Sequence, residues 1–186
     1  MGSYTHSIDV NRPVRTCYNQ WTQFEEFPEF MEGVRSVRQQ DDTHLMWDVE
    51  VAGVSRQFNA TITEQMPDER IAWTTTDGPY QAGVVTFHRL SDQNTRVTLQ
   101  MDFEPQGVAE KAGDMLGIIQ GRIEGDLRRF KEFIEDEGYE TGAWRGKVQG
   151  GQVKGSQENI DVRGSRQGTG RPGDTGLGGM GSGGTI

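Results

Sequence analysis

The chain is poor in the residues that build covalent or metal-bound structure: one cysteine, three histidines and six prolines among 186 residues. A single Cys17 excludes an internal disulfide and any cysteine-cluster metal site. His6, His44 and His88 are scattered, with no i, i+4 pair, so no metal is expected. No run reaches the roughly 18 apolar residues that a membrane span needs. The opening MGSYTHSIDV has neither the basic segment nor the apolar core of a secretory leader, and His6 stands where myristoylation asks for Ser or Thr. No G-x-S-x-G surrounds a serine, and no glycine loop sits between a strand and a helix to cradle phosphate. No cofactor and no integral membrane contact are expected, and the protein reads as soluble and cytoplasmic.

Glycine and charge divide the chain in two. Of its 26 glycines, 15 fall after position 138, in a stretch that ends GDTGLGGMGSGGTI. Such a stretch has too little apolar surface to offset its chain entropy. The reading is one domain over residues 1–138 and a Gly-rich flexible tail over 139–186, with Trp144 the last residue to touch the body. Residues 1–138 carry 24 acidic and 13 basic side chains, the tail 4 and 6. An acidic body repels phosphate backbones, so nucleic acid is a poor partner for it.

Within the body the hydrophobic period changes twice. Tyr4, His6, Ile8 and Val10 alternate with Thr5, Ser7 and Asp9 as a half-buried strand. Asn11 and Pro13 mark a helix start, and Val14, Cys17, Tyr18 and Trp21 give that helix an apolar face ending near Phe24. Cys17 there reads as a small buried thiol. In FEEFPEFM, Pro28 breaks the chain into short helical pieces whose large side chains must be packed down. Six alternating stretches follow, starting near Val34, Leu45, Val54, Ile71, Gly83 and Val97, with short connections that favour an antiparallel meander.

The last element organises the rest. From Val108 to Gly138, apolar residues at Ala112, Met115, Leu116, Ile119, Ile123, Leu127, Phe130 and Ile134 form one stripe along a helix. Gly113, Gly117, Gly121 and Gly125 recur every fourth residue on the other side, each costing roughly 0.8–1 kcal/mol relative to alanine. A loose or late-starting helix, capped afresh by Asp114, is one reading. A close contact with a second helix, making a homodimer through that glycine side, is the other.

The order strand, two short helices, six strands, long helix is carried by RPVRTCYNQWTQFEEFPEFMEGV, ERIAW, TRVTL and GDLRRFKEFIE. With these residues the chain resembles the START-like helix-grip superfamily, in its SRPBCC polyketide cyclase/dehydrase branch, related to coenzyme-Q-binding START-like proteins. The resemblance implies an α+β fold in which a curved seven-stranded antiparallel sheet grips the C-terminal helix around a cavity for a hydrophobic small molecule. It covers nearly all of residues 3–138 and leaves the tail without a counterpart. Members include polyketide aromatase/cyclases and proteins that only bind lipids, quinones or hormones, so fold does not fix activity.

Candidate site residues are those sharing the concave face. The apolar lining is expected from Trp47, Phe58, Trp73, Phe87, Met101, Phe103, Met115 and Ile119, with Thr75 as an orienting hydroxyl and Tyr80 at the mouth. Two catalytic candidates follow from alternation. Arg56 lies on the Phe58 side, close enough to the Gly53 turn to reach water at the rim; turned inward, it could hold a carboxylate or polarise a carbonyl. His6 could serve as a general base. The leading reading is a binder of a small hydrophobic molecule without firm signs of catalysis. The alternatives are an aromatase/cyclase using Arg56 or His6, and an interaction module acting through its tail.

Overall fold

A computed structural model describes residues 2–51, 53–104, 109–155 and 159–160. The chain forms β1 (Gly2–Val10), α1 (Val14–Trp21), a 3₁₀ segment (Phe24–Glu29), β2 (Val34–Gln39), β3 (His44–Val51) and β4 (Val54–Met66). It continues through β5 (Arg70–Thr75), β6 (Gln81–Ser91), β7 (Asn94–Phe103) and α2 (Ala109–Glu137). Four short strands close it: β8 (Ala143–Trp144), β9 (Lys147–Gln149), β10 (Gln152–Lys154) and β11 (Asn159–Ile160).

The principal path of the sheet is β1-β7-β6-β5-β4-β3-β2, antiparallel at every pairing. This is the α+β, seven-stranded grip expected from the residues, with two further strands, β9 and β10, attached through β4. Register sets the inner face. Trp73 stands opposite Gly83, Gly83 opposite Met101, and Met101 opposite Tyr4, so one row of inward residues crosses four strands. A one-residue slip would turn that whole row to solvent.

Local details differ from the sequence reading. α1 has Pro13 at its N-cap with no side-chain capping bond. Asn11, expected to cap it, instead donates its backbone N–H to Glu135 Oε1 at 2.7 Å, tying the helix entry to α2. α1 stops at Trp21 rather than near Phe24, where Thr22 turns its hydroxyl back onto the Asn19 carbonyl at 2.6 Å. α2 is one helix from Ala109, not one that starts late at Asp114. On its glycine side, an added Cβ at Gly117 or Gly121 would meet nothing within 4 Å, so no helix among the described residues packs there. The side chains of residues 109–115, Met115 included, lie outside the described residues, as do positions 161–186 of the Gly-rich tail.

The largest departure is the boundary at 138. Beyond it the chain remains part of the body as a strap across α1. Gln20 and Thr141 exchange two hydrogen bonds, at 2.9 and 3.2 Å, and the Trp144 backbone N–H donates to Thr22 Oγ1 at 2.9 Å. Arg145 grips Asp68 with two nitrogens, at 2.9 and 2.7 Å, and lies 5.5 Å from the centre of the Tyr18 ring. β9 then pairs Val148 with Gln65, beyond the last β3–β4 pair at His44–Thr61, and so covers a stretch of β4 edge that β3 leaves open. Val148 is wholly buried, as are Gln20 and Gln65 to within about 1 %. Elements of two or three residues with one or two apolar side chains each are too short to show a period, which is why this strap is invisible to hydrophobic patterning.

Two outcomes follow. Trp144→Ala removes a buried indole from the strap and should cost about 3 kcal/mol in urea unfolding; a loss under ~0.5 kcal/mol would mean the strap is not part of the folded unit. Burial pushes the Cys17 thiol up to about 12, so it should resist Ellman's reagent at pH 8 until the protein is unfolded; rapid labelling of the native protein would contradict that burial.

Candidate functional site

The space between sheet and α2 is divided into a filled end and an open end, and aromatic residues make the division. α1 and the 3₁₀ segment drive Trp21, Phe24, Phe27 and Phe30 inward, each no more than 3 % exposed. Trp21 meets Phe27 at 5.3 Å, Phe130 at 5.4 Å and Phe87 at 6.4 Å, centroid to centroid, and Phe30 meets Phe130 at 5.2 Å. These tilted and edge-on geometries are the favoured ones for aromatic pairs. With Leu127 and Ile134 also fully buried, the C-terminal half of α2 is packed solid.

Toward the N-terminal half of α2 the rings give out and a cavity of about 160 Å³ remains. That is roughly ten times the ~10–15 Å³ one ordered water needs. Its walls are Trp47 and Val49 from β3, Phe58 from β4, Trp73 and Thr75 from β5, Gln81 from β6, and Leu99, Met101 and Phe103 from β7. Ile118, Ile119, Arg122, Ile123 and Asp126 come from α2, Met31 and Glu32 from the turn before β2, and Val34 from the start of β2. Trp47 stacks on Phe58, centroids 6.1 Å apart and planes 10° from parallel. Trp73 can lie across β6 because residue 83 is glycine: a Cβ there would stand 2.2 Å from its ring. Thr75 accepts from the Gln81 backbone N–H at 3.0 Å and donates to the Pro79 carbonyl at 3.2 Å, so its hydroxyl fixes the loop between β5 and β6.

One wall is polar. Gly33 turns the chain at φ +79°. Asp126 Oδ1 then accepts from the Glu32 backbone N–H at 2.9 Å and from Arg129 Nη2 at 2.5 Å. Arg129 Nε reaches the Phe30 carbonyl at 3.1 Å, which closes the joint between this turn and α2. Burial pushes the Asp126 carboxyl up, outweighing the hydrogen bond and attraction of Arg129. Arg122, one helical turn before Asp126, donates Nη1 to the Glu50 carbonyl at 2.8 Å.

Seven of the nine expected binding residues border this cavity: Trp47, Phe58, Trp73, Thr75, Met101, Phe103 and Ile119. Phe87 does not; it is spent in the filled end against Tyr18 and Trp21. Met115 lies outside the described side chains. Neither catalytic candidate borders the cavity. Arg56 shares the register of cavity-lining Val49 but is exposed near the β3–β4 turn, because that hairpin runs past the body. His6 is half-buried on β1, two residues from Tyr4, whose hydroxyl donates to Glu124 of α2. Tyr80 is 39 % exposed in the β5–β6 loop and does not line the cavity. Among the lining residues that patterning missed are two charged ones, Arg122 and Asp126. Spaced i, i+4 beside the apolar stripe, they look like two more charges on a solvated helix face.

Comparison with known proteins agrees with this geometry. The family model described as polyketide cyclase/dehydrase and lipid transport matches residues 10–132. An uncharacterized 17.2 kDa protein from the melC2-rnhH intergenic region of Streptomyces lincolnensis is 58 % identical over 149 residues, which is 80 % of this chain and 99 % of that protein. A START superfamily protein from Mycobacterium smegmatis superposes with TM-score 0.62 at 14 % identity, over 73 % of this chain and 98 % of that one. The Zhui aromatase/cyclase from Streptomyces sp. R1128 superposes with TM-score 0.60 at 15 % identity, over 73 % and 94 %. At these identities the two structures speak for the fold.

The polar wall makes two predictions. Gly33→Ala should destabilise by about 2 kcal/mol, since a Cβ would be strained at that φ and would stand 2.5 Å from the Glu50 carbonyl oxygen; a neutral result in thermal unfolding would contradict the turn described. Because Asp126 binds its proton more tightly folded than unfolded, its contribution is fully present below the unfolded carboxyl range and is lost as pH rises through its raised value. The stability of wild type relative to Asp126→Asn should therefore improve as pH falls toward 4; an opposite trend would show the ion pair with Arg129 outweighing burial.

Proposed function

Since the chain belongs to the polyketide cyclase/dehydrase and lipid transport family, we propose that it holds a small apolar molecule in the cavity beside the N-terminal half of α2. The observation that carries this reading is the unfilled space itself. A core that closes one end with interlocked rings leaves the other end lined by Trp47, Phe58, Trp73, Met101 and Ile119, with room between them. Adaptable methionine and flat aromatic walls suit a ligand held by burial, and each buried CH₂ contributes roughly 0.8 kcal/mol.

The enzyme reading, an aromatase/cyclase of the kind named for the Streptomyces sp. R1128 structure, needs a polar group against the ligand. His6 and Arg56 border no part of the cavity, and this favours holding over chemistry by those two residues. No helix among the described residues is long and apolar enough to cross a membrane, and residence in the cytoplasm belongs to the same proposal. A homodimer would use the open side of α2 at Gly117 and Gly121; sedimentation at micromolar concentration should show mass doubling if that side is covered by a second copy.

Native mass spectrometry of protein purified without detergent tests the ligand directly. Wild type should carry a non-covalent adduct of small-molecule mass. Ile119→Trp, which fills the cavity, should lose the adduct and keep its fold by circular dichroism. Bare polypeptide mass in repeated wild-type preparations would contradict the proposal.

A further inference from the structure

The outer face of the sheet carries a hollow of its own, and the strand register accounts for it. The inward row runs through Trp73, Gly83, Met101 and Tyr4, so the positions on either side of it point outward. They form two rows across the same four strands. One is Thr74, Ala82, Asp102 and Ser3; the other is Ala72, Val84, Gln100 and Thr5. In the middle of both rows the side chains are short, and a dish of about 330 Å³ opens over them. It shares only Trp73 with the interior cavity, and the ring of that residue lies on the inner side against Gly83.

The dish is unequal in charge. Asp102 stands half-buried on its β7 side, between Ser3 and Ala82. Among the described residues its carboxylate joins no ion pair, and its one hydrogen bond comes from Gln100 Nε2 at a long 3.4 Å. No basic residue among them lines the dish. Tyr80 closes the loop side, and the Glu104 backbone N–H donates to its carbonyl at 3.1 Å, which brings a further acidic residue beside it. Such a wall repels an anion, and an apolar ligand would desolvate the carboxylate without pairing it. A cation meets both demands. A guanidinium suits the shape better than an ammonium: planar and weakly hydrated, it can lie flat on the short side chains, reach Asp102 and the Gln100 amide oxygen with forked donors, and stack against a tyrosine ring.

We propose that this outer dish is a binding site for an alkylguanidinium, with Asp102 as the counter-charge, Tyr80 as the aromatic wall, and Ala72, Ala82 and Val84 as the floor for the alkyl stem. The site does not depend on what the interior cavity holds. The cation can come from a free molecule or from the chain's own Arg163, Arg166 or Arg171.

Chemical-shift titration of the full chain with three probes of one length tests this: butylguanidinium, butylammonium and butylurea, the uncharged isostere of the first. Butylguanidinium should move the backbone amides of Ala82, Val84, Gln100 and Asp102 saturably in the millimolar range. It should bind about fivefold more tightly than butylurea, the upper ratio for a half-exposed ion pair. Asp102→Asn should abolish that ratio, and Tyr80→Leu should weaken butylguanidinium about two- to fivefold, each with the rest of the amide spectrum unchanged. The triple variant Arg163→Gln, Arg166→Gln, Arg171→Gln separates the sources. If an internal arginine occupies the dish, the variant moves the same amides without a probe and binds butylguanidinium more tightly; if the ligand is external, it matches wild type. Equal binding of butylguanidinium and butylurea, or an Asp102→Asn variant that keeps the ratio, overturns the proposal. Tighter binding of butylammonium overturns the guanidinium class. If no probe moves these amides even in the triple variant, the dish is not a site.

Discussion

Everything in this protein turns on how far the aromatic residues reach along the inside of the grip. A curved sheet with one apolar face and a single long helix encloses more volume than helix side chains alone can fill, and protein interiors do not tolerate loosely filled space. The chain solves this at one end with an interlock of Trp21, Phe27, Phe30, Phe87 and Phe130, brought in by the bend around Pro28. At the other end no rings arrive from that bend, and the cavity is walled by the inner faces of β3 to β7, by α2 and by the turn before β2.

This division gives the two halves of α2 different work. Leu127, Phe130 and Ile134 are wholly buried and hold the helix to the sheet. Ile118 and Ile119, nearer the start, border open space and are only partly covered. Apolar surface left in this way lowers stability relative to a filled core, and family members use such space for ligands. The joint at Glu32, Asp126 and Arg129 lies between the two regimes and fixes the turn before β2 against the helix. The strap from Thr141 to Val148 works on the filled side, where it covers α1 and the free edge of β4.

Much of this was legible in the sequence because period and punctuation were strong where the fold is regular. Alternation identified every strand of the main path, and the three-and-four spacing from Ala112 to Ile134 identified α2. Alternation also assigned the inner face correctly for Trp47, Phe58, Trp73 and Met101, since a strand offers only two sides. It could not say which inner residues meet other rings and which meet space, so Phe87 was grouped with the cavity although it packs on Tyr18. Arg56 was legible: its side is right, and the nearby Gly53 turn puts it at the rim, where it is exposed. Arg122 and Asp126 were hidden: polar residues next to an apolar stripe count as solvated until the partner surface is known. The strap was missed because its stability comes from side chain to backbone hydrogen bonds with α1, which leave no hydrophobic repeat.

The central claim is that the interior is solid at one end and open at the other, and xenon reports on that directly because it enters apolar cavities without needing specific contacts. In methyl-labelled protein under xenon pressure, the Met101 and Ile119 methyl resonances should shift and saturate, while those of Leu127 and Ile134 stay fixed. Unmoved resonances at Met101 and Ile119, or equal shifts at both ends, would contradict it.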